Sequence, residues 1–251
     1  MNLQGLLDEL RGNLLRDSST LKNGPPDHYW SDSSLVLYIN EAQRRFARRA
    51  LCLRDSTTPS VTQIKLVPGQ AVYRADPSVL RVTSARHQDT ESDMVRITHL
   101  TQFTAFNSAT DSWDYATRMQ TGCPQHFATD ESLELDDEHQ VRILFDPVPN
   151  DEQQGKIIHL RVIRLPLDNL MLDNLSVEPE VHSDWQLDML EWAAWRALRN
   201  WDVDAEAREK AAQHRNRFDE AIAECLKEVQ QKKMFQPVTW RFGGNGYTYT
   251  R

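Results

Sequence analysis

No apolar run in this chain approaches the ~20 residues that a membrane-spanning helix needs. The start, MNLQGLLDELRGNLL, has neither a basic n-region nor a small-residue cleavage site, so no signal peptide is expected. Cysteine is sparse: Cys52, Cys123 and Cys225 are odd in number and far apart. That excludes a disulfide framework and predicts free, buried thiols in a reducing compartment. Positive charge is in deficit, with 29 Lys and Arg against 37 Asp and Glu and a formal net charge of −8. Affinity for nucleic acid comes largely from neutralising phosphates, so this balance argues against broad nucleic-acid wrapping. It still permits a surface that DNA passes without sticking.

Catalytic signatures are missing too. There is no Gly-rich phosphate loop, no G-x-S-x-G and no H-E-x-x-H. CPQH offers Cys123 and His126 as half a metal site, but His99 and His139 stand alone and complete no second pair. The pair reads as loop residues in a Gly122/Pro124 turn. The acidic stretches DESLELDDEH (130–139) and DPVPNDEQ (146–153) lack the glycine pattern of a calcium loop and read as solvated loops. Paired carboxylates abound in any acidic protein, so none is assigned acid–base work. The chain reads as a non-enzyme with no catalytic, cofactor-binding or metal residues. A carboxylate pair in a cleft, as in a peptidoglycan-cleaving enzyme, is the rival reading. No internal repeat or low-complexity tract is visible.

What is present is a chain of 251 residues, 39% apolar and 26% charged, which fits a soluble globular protein of one large or two small domains. Leu3, Leu6, Leu7, Leu10 and Leu14 recur at three- and four-residue steps, predicting an amphipathic helix to about Arg16. A polar loop with Asn23-Gly24-Pro25-Pro26 follows. In WSDSSLVLYINEAQRRFARRALCLR, Ser31 reads as N-cap, with Trp30 and Leu35 placed as a hydrophobic staple. Leu35, Ile39, Ala42, Phe46, Ala50 and Leu53 form its apolar stripe, and Arg44, Arg45, Arg48 and Arg49 fall mainly off it as a basic flank. That flank is suited to pairing with carboxylates on a neighbouring helix or subunit.

From residue 61 the period changes from about 3.6 to 2. VTQIKLV, LVPGQAVY, VLRVTSARH, MVRIT, QVRILFDP and KIIHLRVIRLP all carry strand signals, predicting an antiparallel β domain over about 61–166. The stretch THLTQFTAFNSATDSWDYATRM interrupts it as irregular or shortly helical. Helix resumes near 183, where Ser183 and Gln186 match a capping box. Leu187, Leu190, Ala194 and Leu198 supply a stripe there, with Trp185, Trp192 and Trp195 beside it as core and interface anchors. A break at WDVD precedes a long helix whose seam is Ala211, His214, Phe218, Ile222, Cys225 and Val229. The predicted fold class is α+β: a discontinuous helical bundle (1–58 and 170–233), an inserted β-rich domain (59–169) and an extended C-terminal arm (234–251).

That arm, MFQPVTWRFGGNGYTYTR, holds five aromatics and no acidic residue. Pro237 should stop the preceding helix near Met234. Val238, Trp240 and Phe242 then alternate with Thr239 and Arg241, so an extended strand would carry the three on one face, and Tyr247 and Tyr249 repeat the alternation. A segment of this kind can add to a partner's sheet edge with aromatic anchors in pockets.

Several stretches, in order, resemble tailed-bacteriophage head-to-tail adaptor proteins, also called connector or head-completion proteins. They are WSDSSLVLYINEAQRRFARRA, LVPGQAVY with DPSVLRVTSAR, TGCPQHF, VRILFDPVPNDEQQGKIIHLRVIRLP and VEPEVHSDWQLDMLEWAAWRAL, together spanning about residues 30–230. The resemblance implies a structural virion protein of the neck region, assembled in the host cytoplasm. It implies a dodecameric ring of this chain below the portal, joining the DNA-filled head to the tail and extending the DNA channel. Its partners would be the portal protein, a downstream tail or neck protein, and double-stranded DNA that passes without specific binding. No membrane and no cofactor are implied. A different neck or tail-tube structural protein is the alternative within that class. On this resemblance Phe235, Val238, Trp240, Phe242, Tyr247 and Tyr249 are the candidate portal-docking residues, the alternative being a tail folded on its own or a neighbouring subunit. Arg44, Arg45, Arg48 and Arg49 are the candidate subunit interface.

Overall fold

The structure, a computed structural model, describes residues 1–17, 29–96, 121–130, 140–199 and 205–234. In chain order, helix α1 (Leu3–Glu9) continues as a π-helical stretch, Leu10–Leu15, and α2 spans Asp32–Ala50. Strand β1 (Arg54–Asp55), the one-turn α3 (Pro59–Thr62), β2 (Gln63–Lys65), β3 (Val72–Arg74), β4 (Val79–His87) and β5 (Val95–Arg96) follow. Then come β6 (Thr121–Gly122), β7 (His126–Asp130), β8 (Arg142–Asp146), β9 (Val148–Pro149) and β10 (Ile157–Arg164). A 3-10 turn, Ser183–Trp185, leads into α4 (Gln186–Arg199), and α5 spans Ala205–Met234. The protein is α+β, as its change of period predicts. It divides into two compact units, Met1–Cys52 with Asp168–Arg251, and Leu53–Leu167.

In the helical unit, the predicted stripe of α2 is buried except for Leu53, which falls beyond the helix end at Ala50. Leu35, Ile39, Ala42, Phe46 and Ala50 are all fully inaccessible and pack with Leu3, Leu6 and Leu10 of the first helix. The seam predicted for α5 also faces this core, with Ala211, Phe218, Ile222 and Cys225 buried and Val229 partly so. Phe218 meets Phe46 edge-on at 5.9 Å and Trp192 at 5.2 Å. Burying each such ring contributes ~1.5–3 kcal/mol. Of the stripe predicted for α4, Leu190 and Ala194 are buried and Leu198 partly so, but Leu187 is exposed, and Met189, Trp192, Ala193 and Trp195 are buried as well. Because α4 packs on both α2 and α5, its buried arc is wider than one stripe and takes in the tryptophans. The expected capping box is also replaced. His182 caps the 3-10 lead-in, and the Gln186 side chain turns back to donate to the Val181 carbonyl at 3.0 Å.

Two buried ion pairs organise the described chain. In the helical unit, Arg11 donates to Asp17 at 2.5 Å, to Asp32 at 2.6 Å and to the Trp30 carbonyl at 2.8 Å. Asp17, with a fully buried side chain, also accepts the Tyr29 amide at 2.8 Å. The first helix is thereby tied to the start of α2. In the other unit, Asp55 accepts the Thr58 hydroxyl at 2.7 Å, the Thr57 and Thr58 amides at 2.9 and 3.0 Å, and Arg164 Nε at 2.7 Å. Burial pushes the Asp55 carboxyl up, but these four donors outweigh burial and hold it well below the usual carboxylate range.

The second unit is built from β strands. The long β10 pairs antiparallel with β4 along one edge, and with β1 and then β2 along the other. A second sheet runs β3-β8-β7-β5. The buried face collects Leu66, Val82, Phe127, Ile143, Phe145, Ile158, Leu160 and Val162. The Pro68-Gly69 turn forms as its dipeptide demands, with Gly69 at φ 77 and Gln70 N–H donating to the Val67 carbonyl. Two details differ from a purely antiparallel expectation. The two-residue pairs β5–β7 and β6–β9 are parallel, each joining stretches more than a dozen residues apart, as parallel pairing requires. Residues 61 and 62, expected to open a strand, instead close the single turn of α3, because Pro59 at its first position presets a helical φ.

Candidate assembly surfaces

Helix α2 begins where the Ser31 hydroxyl accepts the Ser34 amide at 3.2 Å, and it ends at Leu51 in the left-handed region. Asp32 in its first turn and Arg48 and Arg49 in its last complement the helix dipole. Opposite the buried stripe, Ser33, Leu37, Arg44 and Arg48 are exposed on one face, at successive steps of four, seven and four residues. Leu37 is 64% exposed, and Arg44 and Arg48 follow it on the same face about two and three turns further along the helix.

The four arginines divide into two pairs. The guanidinium of Arg45 lies over the Trp192 ring, 4.1 Å from its centroid, and Arg49 pairs with Asp219 of α5. Both serve contacts within the chain. Arg44 and Arg48 have no partner among the described residues and face outward beside Leu37. Similar stacking recurs on the next tryptophan, where Arg199 and Arg215 each lie 5.3 Å from the Trp195 centroid. Such cation–π contacts contribute ~0.5–2 kcal/mol each.

A second exposed feature adjoins α2. Asn40 donates to the Leu170 carbonyl at 2.9 Å and accepts the Leu170 amide at 2.8 Å, pinning the segment after residue 168 to the helix. The same segment caps α1, whose Leu3 and Gln4 amides donate to the Val177 and Leu175 carbonyls. Met171 and Leu172, next to the pinned residue, are 59% and 41% exposed. Leu37 lies one turn from Asn40, so the apolar exposure of α2 and of this segment occupies one neighbourhood.

The motif residues prove to be structural. Trp30, Ser31 and Asp32 supply a core ring, a helix cap and an ion-pair partner for Arg11. In Asn40-Glu41-Ala42-Gln43, Asn40 pins the loop, Glu41 pairs with Arg196 at 3.3 Å, and Ala42 and Gln43 are buried. At the α4–α5 contact, His214 Nδ1 lies 2.5 Å from Glu191, which also pairs with Arg217 at 3.6 Å. Asp188, on the same helix, has its carboxyl pushed up by burial and by the charges of Glu191 and Glu224.

Cys123 and His126 do not converge on a metal-ligand set. Burial pushes the Cys123 thiol up, and His126 Nδ1 lies 3.7 Å from Asp146. No group of three or more metal-ligating side chains is present among the described residues. Among them, too, no helix is long and apolar enough to cross a membrane. The candidate docking residues Phe235, Val238, Trp240, Phe242, Tyr247 and Tyr249 lie outside the described residues, as do 97–120 and most of the 130–139 acidic stretch.

Compared with known families, residues 1–241 match the family model described as SU10 adaptor protein. No curated protein matches the chain.

Proposed function

This chain belongs to the SU10 adaptor protein family, a phage head-tail adaptor family, and from that membership we propose that it forms a ring below the portal. The ring joins the DNA-filled head to the tail and extends the DNA channel. The carrying observation is the extent of the match, which takes in residues 1–241 of 251 and so covers the β unit whole and the helical unit up to residue 241. The family is structural, its members are virion components, and head and tail proteins are their partners. Work of this kind requires surfaces and no catalytic machinery.

The proposed organisation is a helical bundle of residues 1–58 and 170–233, with a β domain, 59–169, inserted in it and an arm, 234–251, that docks on the portal. Arg44 and Arg48, open beside Leu37, form the subunit boundary of the ring, dodecameric on the family resemblance. Arg45 and Arg49 act from behind it by fixing α2 against α4 and α5. An exposed apolar residue that shares a helix face with two cations lacking a partner among the described residues suits a neighbour presenting carboxylates, and the acidic chain offers many. The net charge of −8 supports passage of DNA, because a duct lined by such a protein repels phosphate.

Charge reversal separates the two pairs. The double variant Arg44→Glu/Arg48→Glu should remain a folded subunit, destabilised by no more than ~1 kcal/mol through the carboxylate placed at the C-terminal end of α2, yet fail to form rings on isolated portals. Single exposed pairs contribute only ~0–1 kcal/mol, so one substitution alone should have little effect. Sedimentation of the variant with portal rings reads the outcome. Normal ring formation by the double variant would remove these residues from the interface.

A further inference from the structure

The outward face of the β4–β10 sheet carries a polar cavity of about 150 Å³ lined by Ser56, Ser84, Arg86, Asp93, His159, Leu160 and Arg161. Its composition follows from strand register. Along β10, His159 and Arg161 alternate with buried Ile158, Leu160 and Val162, so both project from the solvent side. Across the strands His159 stands opposite Arg86, and Arg161 opposite Ser84. On the other edge of β10, Val162 pairs with Asp55, which brings the next residue, Ser56, alongside Arg161. Thr83 is the extra residue of a β-bulge between the Arg161–Ser84 and Val162–Val82 pairs, and its hydroxyl donates to the Arg161 carbonyl at 2.8 Å. Bulges re-aim neighbouring side chains and gather at functional sites.

The charge balance of the cavity is incomplete. Arg86 has no partner among the described residues, and the one acidic lining residue, Asp93, approaches Arg161 only to 3.8 Å, beyond hydrogen-bond distance. Two arginines on diagonal cross-strand positions repel one another unless an anion lies between them. The hydroxyls of Ser56 and Ser84 and the His159 ring add donors to the same space. We propose that this cavity is a phosphate-binding site, accepting one phosphate group as the free ion or from a nucleic-acid backbone. Two guanidinium forks match phosphate oxygens bidentately. The volume falls below the ~300–1,000 Å³ typical of organic-ligand pockets, which leaves room for a single tetrahedral oxyanion. Phosphate binding here stands whether or not the chain forms a ring.

The test is a titration of the whole isotope-labelled chain with inorganic phosphate at constant ionic strength, against a chloride control, followed by amide NMR. Shifts at Ser56, Ser84, Arg86 and His159 that saturate with phosphate and not chloride are expected. Arg86→Gln/Arg161→Gln should weaken binding at least tenfold while leaving the rest of the spectrum in place, since both side chains are exposed. Arg86→Lys/Arg161→Lys should recover only part of the affinity, because lysine keeps the charge and loses the fork. A short DNA duplex that displaces phosphate identifies the backbone as the source; a duplex that does not identifies the free ion. The proposal is overturned if phosphate shifts match those of chloride, or if the glutamine variant binds as tightly as wild type. Tighter binding of an oligoglutamate peptide than of either phosphate source would overturn it too, assigning the cavity to a protein carboxylate.

Discussion

Removing residues 235–251 is expected to leave a soluble, helical protein that no longer attaches to capsids. The described cores are built upstream of this segment, from Leu3 to Cys225 in the helical unit and from Val61 to Val162 in the β unit. Truncation leaves each of these side chains in place. What it does withdraw is Phe235, Trp240, Phe242, Tyr247 and Tyr249, five aromatics in a stretch without an acidic residue. Aromatic anchors dominate interfaces energetically, and losing several together exceeds what a docking contact survives. Co-sedimentation with tail-less capsids should fall from near-complete to background, while circular dichroism and melting temperature stay put. A truncated protein that docks with unchanged affinity would show that the aromatics pack on their own or a neighbouring subunit instead.

Asp55→Ala should have the largest effect on stability. Its side chain is 4% exposed, and removing it takes from Arg164, itself only 12% exposed, the carboxylate that faces it at 2.7 Å. Breaking a buried pair from one side costs about 3–5 kcal/mol. The amides of Thr57 and Thr58 lose their acceptor at the same time, which loosens the turn before α3. Because the folded Asp55 carboxyl is held below the usual range, its contribution is complete above the ordinary carboxylate value of about 3.9. That contribution is lost as pH falls through the ordinary value toward the folded one. The gap between wild type and variant in urea denaturation should thus be flat from pH 5 upward and shrink in acid. Amide exchange along β10 should accelerate in the variant, and unaltered protection there would exclude the pair as a stabilising element.

Local order was the readable part of this sequence. Ser31 followed by an apolar stripe marks α2, and the return of period 3.6 after Pro166 marks the late helices, because capping and amphipathicity act within a turn or two. Pairings between distant residues leave no such trace. Asp55 and Arg164 are 109 positions apart, and Arg11 and Asp32 are 21 apart. The phosphate cavity exists only once His159 and Arg86 are brought into register. The arginine cluster was visible as a basic flank, but its division was not. Whether an arginine meets Trp192 or Asp219, or meets solvent, depends on how α4 and α5 pack on α2, and no periodicity encodes that. Leu187 shows the same limit, since a stripe predicts one buried face and α4 has two neighbours.

Electron cryomicroscopy of the 251-residue chain mixed with isolated portal rings tests the central claim most directly. A closed ring of copies coaxial with the portal is expected, with Arg44 and Arg48 at the subunit boundaries and residues 235–251 ordered against the portal. Portal rings that remain bare, or copies bound only to tail components, would contradict it.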